Sequence, residues 1–202
     1  MKSQKTLFII LIVFVLVLAG AYLLYNALGD NSSADYLQGN DQGQESDSAS
    51  QGSEASSQNG SSQDPKISAP DFKVYDKDGN ATYLSDYSGK PVIVNFWASW
   101  CGPCKMEMPD FEDKYRAFGS DIQFMMVNMT DGYRETVDTA SSFIEEEGYV
   151  FPVFYDRDSS ATNTYGVYSL PMTFFIDADG YIVAQATGAI DGETLQRGID
   201  MM

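Results

Sequence analysis

The only cysteines in the chain, Cys101 and Cys104, are separated by two residues and can close a small disulfide and reopen it. The thiolate, not the thiol, attacks a disulfide, and a free cysteine with a pKa of about 8.5 is ionised to only a few per cent at neutral pH. If Cys101 opens a helix, its sulfur faces unpaired backbone N–H groups and the positive end of the helix dipole. A pKa lowered to about 7 would ionise roughly half of it. Gly102-Pro103 suits a first helical turn, where proline forfeits no hydrogen bond. Cys104 then lies one turn further in, placed to attack a mixed disulfide. Cys101 is therefore expected to be the nucleophile and Cys104 the resolving thiol. A structural staple is the rival reading, but so short a loop constrains the unfolded chain little. Half of a metal site would need ligands from a second subunit.

Composition narrows the alternatives. The chain has 202 residues, no histidine and a formal charge of −17. That excludes imidazole catalysis and histidine metal ligation, and so acidic a chain repels nucleic acid. No metal or other cofactor is expected. Asp76-Lys-Asp-Gly and Asp177-Ala-Asp-Gly lack the spacing and closing glutamate of a calcium loop and read as turns.

The elements around the cysteines follow from pattern. Val92–Phe96 is short, β-branched and apolar, as in a central strand covered on both faces. Cys101 to about Phe118 reads as a helix with Met106, Phe111, Tyr115 and Phe118 as core contacts and Pro109 as a kink. Phe72–Tyr75 and Ala81–Leu84 form a hairpin about a Gly-containing turn, as do Thr173–Ile176 and Tyr181–Ala184. Ile122–Val127 and Phe151–Phe154 are further strands. Tyr133–Glu147 is a helix stopped at Gly148, Ser159–Tyr165 a short helix, and Gly192–Ile199 a terminal one. This order implies an α/β fold: a three-layer sandwich with a mixed central sheet and an N-terminal β-hairpin.

The N-terminal third reads differently. Lys2 and Lys5 precede an uncharged run from Leu7 to Tyr25, long enough as a helix to cross a bilayer core of roughly 30 Å. Lysines before it and aspartates after it put the N-terminus in the cytoplasm. Ala19-Gly-Ala21 resembles a signal-peptidase site, but the apolar run continues through Tyr22–Tyr25, which favours an uncleaved signal anchor. The expected layout is a cytoplasmic start and anchor over 1–28, an acidic Ser/Gly/Gln-rich tether over 29–66, and a folded domain over 67–202. The domain carries 22 acidic against 9 basic residues.

Phe96-Trp-Ala-Ser-Trp-Cys-Gly-Pro-Cys-Lys105 resembles the active site of the thioredoxin superfamily. Ala69-Pro-Asp-Phe72, Leu84-Ser-Asp86, Gly89-Lys-Pro91, Glu107-Met-Pro109 and Leu170-Pro-Met-Thr-Phe174 narrow this. They are similar to the TlpA/ResA-like, membrane-anchored extracytoplasmic thiol-disulfide oxidoreductases. The resemblance implies a thioredoxin fold over 67–202 and a cis Pro171 facing the disulfide, with Leu170 offering its backbone to an incoming peptide. Trp100, Gly102 and Pro103 complete the expected partner-binding surface, and Trp97 is read as core. Asn95 stands where cytoplasmic thioredoxins carry a buried aspartate, and asparagine cannot relay that proton. Glu107, one turn beyond Cys104 on the same helical side, is the candidate acid/base. The alternative for it is a solvated helix glutamate.

The function these features imply is reduction of partner disulfides by a bacterial, single-pass protein whose catalytic domain lies outside the membrane. Apocytochrome c, methionine sulfoxide reductase or a similar extracytoplasmic protein would be the partner, and a transmembrane thiol carrier the electron donor. Two alternatives belong to other classes. A thiol peroxidase shares the Ala-Pro-Asp-Phe opening but needs a Pro-x-x-x-Thr/Ser-x-x-Cys setting, which is absent. A redox-inactive binding module would need Cys101 to be inaccessible.

Overall fold

The computed structural model describes residues 66–202. The expected anchor (1–28) and all but the last residue of the expected tether (29–66) lie outside the described residues. Among the described residues, no helix is long and apolar enough to cross a membrane.

The domain is built on one eight-stranded mixed sheet. Its strands are β1 (Ile67–Ser68), β2 (Lys73–Tyr75), β3 (Ala81–Tyr83), β4 (Val92–Trp97), β5 (Gln123–Asn128), β6 (Val153–Tyr155), β7 (Met172–Ile176) and β8 (Tyr181–Thr187). Four helices accompany them: α1 (Gly102–Phe118), α2 (Val137–Glu147), α3 (Ser160–Thr164) and α4 (Gly192–Asp200). A 3-10 turn covers Leu84–Tyr87. The spatial order is β1-β8-β7-β4-β5-β6-β2-β3. β4 and β5 pair in parallel, as do β5 and β6, while β7 runs antiparallel to both β4 and β8. The N-terminal hairpin β2–β3 extends the sheet beyond β6 through one residue pair, Tyr75 with Tyr155.

β4 is central, and all six of its residues are buried. Side chains alternate across a strand. Ile93, Asn95 and Trp97 therefore face one layer, which holds Met108 and Phe111 of α1, Ala140 of α2 and Leu195 of α4. Val92, Val94 and Phe96 face the other, with Phe72, Leu84, Ala161 and Tyr165. These are the three expected layers.

Two expectations are corrected, the place of Met106 and the start of the second helix. α1 buries Cys104, Glu107, Met108, Phe111 and Glu112, a helical stripe that excludes Met106, which is 70% exposed. The helix runs on through Pro109 as one element. α2 starts at Val137, not Tyr133, because Asp131 Oδ1 accepts the N–H groups of Tyr133, Arg134 and Glu135 and holds them in a turn. Thr136 then caps the helix by accepting the Thr139 N–H. β1 had no sequence signal: two exposed residues acquire strand geometry only by pairing with β8.

Candidate active site

β4 ends at Trp97, and the chain turns through Ala98–Trp100 into α1. Cys101 is the N-cap of α1, in extended backbone geometry. Its Sγ accepts the Cys104 N–H at 3.2 Å, so one of the helix's orphan donors points at this sulfur. Cys101 and Cys104 are joined in a disulfide, with Cα atoms 5.3 Å apart. Cys104 is fully buried and Cys101 retains 5% exposure. Gly102 and Pro103, both exposed, form the first turn.

An open groove of about 460 Å³ adjoins the disulfide, lined among others by Trp100, Cys101, Pro103, Arg134, Tyr168 and Leu170. Trp100 is 41% exposed, with the Arg134 guanidinium carbon 3.5 Å from its ring centroid. The Leu170–Pro171 peptide bond is cis, and Pro171 is buried. Trp97 is fully buried core, in ring contact with Phe143 of α2.

Beneath α1, Glu107 is almost completely buried, which removes the solvated-helix reading. Its carboxylate accepts the Asn95 Nδ2 at 2.8 Å and the Ile190 N–H at 3.0 Å. Asn95 Nδ2 also lies 3.0 Å from Thr173 Oγ1, and its Oδ1 has no partner among the described residues. Burial pushes the Glu107 carboxyl up to about 8, overcoming the opposing pull of the Ile190 and Asn95 hydrogen bonds.

A second buried carboxylate was missed in the sequence. Glu135 Oε1 accepts the Ser99 N–H at 2.9 Å and the Asn128 Nδ2 at 2.8 Å, and its Oε2 accepts the Ser99 hydroxyl at 2.8 Å. Thr130 in turn donates its hydroxyl to Asn128 Oδ1. Glu135 thus ties the loop before Cys101 to the end of β5. The signals were present: Asp131-Gly132 as a turn, and Thr136 as a helix cap that leaves Glu135 outside α2. The exposed Tyr168 and Arg134 were missed as well. Asp76 and Asp177 serve turns as expected, accepting backbone N–H groups at 2.8–2.9 Å. Among the described residues, no acidic or cysteine cluster could hold a metal ion.

A dithiol-disulfide pair at the strand-to-helix turn of this fold defines a thioredoxin-fold thiol-disulfide oxidoreductase. Comparison with known proteins agrees. The AhpC/TSA family matches residues 65–185. The thiol-disulfide oxidoreductase ResA of Bacillus subtilis is 33% identical over 192 residues, spanning 94% of this chain and 89% of that protein. ResA of Geobacillus kaustophilus is 36% identical over 133 residues, 65% of this chain and 74% of its own. Among solved structures, the exposed lipoprotein thioredoxin Etrx1 of Streptococcus pneumoniae is 31% identical with a TM-score of 0.56, over 66% of this chain and all of that one. StoA of Bacillus subtilis is 25% identical with a TM-score of 0.57, over 67% and 99%. The chain belongs to the AhpC/TSA family, among its ResA-like thiol-disulfide oxidoreductases.

Proposed function

We propose that the protein reduces disulfides of partner proteins outside the cytoplasmic membrane, through attack by Cys101 and resolution by Cys104. The observation that carries this reading is the seat of Cys101 at the cap of α1, its sulfur accepting a helix N–H beside an open groove. In the reduced protein the Cys101 thiolate attacks one sulfur of the partner's disulfide. That S–S bond breaks, and the partner's other sulfur leaves as a thiolate. Cys104 then gives up its proton and attacks Cys101 in the mixed disulfide. The intermolecular bond breaks, the Cys101–Cys104 disulfide forms, and the partner leaves as a dithiol. Two electrons have passed to the partner, and a thiol donor must return them.

Glu107 in its ionised form is the acceptor for the Cys104 proton in this scheme. It lies one turn along α1 from Cys104, and its raised pKa of about 8 is close to that of a thiol, which makes proton transfer nearly thermoneutral. Trp100, Gly102, Pro103, Leu170 and Pro171 form the surface against which the partner's segment lies. Residues 1–28 anchor the chain in the membrane, 29–66 tether it, and 67–202 carry the chemistry on the outer side. The uncharged run Leu7–Tyr25 and the lysines before it support this arrangement.

The test is covalent trapping in native membranes. Cys104→Ser should accumulate mixed disulfides between Cys101 and its partners, among which an apocytochrome c or a methionine sulfoxide reductase would be identified by mass. Cys101→Ser should accumulate none. Equal or absent trapping in the two variants would overturn the assignment.

A further inference from the structure

The groove beside the disulfide is apolar or neutral but for one cation. Arg134 is the single charged residue among those that line it, and no carboxylate does so. Five of the other cations among the described residues, Lys66, Lys73, Lys77, Arg116 and Arg197, are paired with carboxylates. Among the described residues the Arg134 guanidinium has no hydrogen bond or ion pair; it lies on the Trp100 ring. A guanidinium over a ring face keeps its N–H donors in its own plane, at the edge of the contact and free for a two-pronged bond to a carboxylate.

The loop that carries Arg134 is tied down by its own hydrogen bonds. Asp131 Oδ1 takes three successive N–H groups, the Arg134 N–H among them at 2.7 Å. The Gly132 N–H, from a residue at φ +74°, closes the loop on the Glu135 carbonyl. The Glu135 carboxylate then fastens that loop to Ser99, two residues before Cys101. The Asp131 carboxyl is held below its ordinary value chiefly by those N–H groups and least by the Arg134 charge. Tyr168 lines the site with 79% exposure, aromatic area that a docking segment could cover, and Tyr133, next to Arg134 in the chain, is 95% exposed.

We propose that the groove receives an extended segment of a client protein carrying an Asp or Glu within two or three residues of the exchanged cysteine, and that Arg134 selects it. The proposal deepens the exchange reading and rests on it. Trp100 adjoins Cys101, and an extended chain advances about 3.3 Å per residue, so a side chain a few positions from the reacting cysteine reaches Arg134. The rest of this acidic domain repels such a segment, so selection must come from the local contact, not from long-range steering.

The experiment uses the reduced full-length protein, wild type and Arg134→Gln, at physiological salt. The probes are two synthetic peptides, each with one cysteine carried as its 2-thiopyridyl disulfide, identical except for Glu or Gln two residues from that cysteine. Cys101 attacks the cysteine sulfur, the bond to the thiopyridyl group breaks, and pyridine-2-thione leaves and is followed by absorbance. The quantity read is the Glu-to-Gln ratio of second-order rate constants, which cancels any general effect of the substitution on the thiol. The ratio should be about fivefold higher in the wild type than in Arg134→Gln. An unchanged ratio overturns the assignment of Arg134 while leaving exchange intact. No release from either peptide by the wild-type protein overturns the exchange reading itself.

Discussion

The two faces of β4 carry opposite kinds of order. On one, Val92, Val94 and Phe96 meet a predominantly apolar and aromatic layer, in which the Tyr165 hydroxyl is a buried polar atom without a partner among the described residues. Phe96 packs edge-on to Phe174 with centroids 6.0 Å apart, and Tyr165 closes on Phe174 at 4.8 Å and on Phe72 at 5.3 Å. On the other, Asn95 is buried with Glu107 and Thr173, its Oδ1 unpartnered, and Trp97 Nε1 has no partner among the described residues. Local preferences agree on the first face, which is what a stability element requires. The second holds a desolvated carboxyl and unpaired polar atoms, each unfavourable by itself. Such conflicts concentrate where a protein does chemistry. The strand therefore divides the work: one face holds the domain together, and the other sets the environment of the cysteines.

The largest effect that could break this division is at the sulfur. Cys101→Ser should reduce insulin-disulfide turnover to the uncatalysed background while leaving the thermal midpoint of the reduced protein nearly unchanged. Opposite behaviour is expected across the strand. Phe96→Ala should lose about 3–5 kcal/mol in denaturant unfolding, with the exchange rate per folded molecule retained. If Phe96→Ala slowed exchange in proportion to its instability under conditions where it stays folded, the two faces would not be separable.

The apolar face was the more legible of the two in the sequence. The run Val92–Phe96 announces a strand buried on both sides, and Asp-x-Asp-Gly between β-rich segments announces both hairpins. The cysteine spacing with Pro103 gave the start of α1. The phase of α1 was misread because the buried stripe runs Cys104, Glu107, Met108, Phe111, Glu112. Two of those five residues are acids, so a search for apolar periodicity shifts toward Met106. Glu112 is tolerated inside because it accepts the Val150 and Phe151 N–H groups and pairs with Arg116. Arg116 lies on α1 itself, but the Val150 and Phe151 donors come from a loop distant in sequence, and nothing local to α1 reveals them. The same holds for Glu135, whose role depends on Ser99, 36 residues away.

Glu107 sharpens the comparison through pH. Its carboxyl titrates near 8 in the folded protein instead of near 4.5, so the folded state holds a proton that the unfolded chain releases. The sign follows: this contribution is fully present below about pH 4.5 and is lost as pH rises toward and through 8. Glu107→Gln cannot titrate. Relative to wild type it should therefore gain stability progressively between about pH 5 and 9, by up to a few kcal/mol at roughly 1.4 kcal/mol per pKa unit. Denaturant titrations of both oxidised proteins at several pH values measure the difference. Turnover should respond too, the wild-type rate losing its inflection near pH 8 in the variant. A stability difference independent of pH would mean that the carboxyl is hydrated and that the polar face lacks its central conflict.

The smallest effect concerns Glu135, a buried carboxylate whose three donors stand in place of a countercharge. Glu135→Gln keeps the shape but turns one acceptor oxygen into a donor nitrogen. That nitrogen must face either the Ser99 hydroxyl or the pair formed by the Ser99 N–H and Asn128 Nδ2. The hydroxyl can rotate to accept, so the arrangement that places nitrogen toward Ser99 Oγ is the less unfavourable. What is then lost is the charge assistance of the remaining bonds, about 1–2 kcal/mol. The loss is local, because the tie joins one loop to one strand end and leaves the apolar layers untouched. Amide hydrogen exchange at Ser99 should accelerate about tenfold, with little change at Val94 or Phe174. Uniform acceleration across the sheet would instead show that Glu135 supports the whole fold, and the division between a holding face and a working face would have to be redrawn around it.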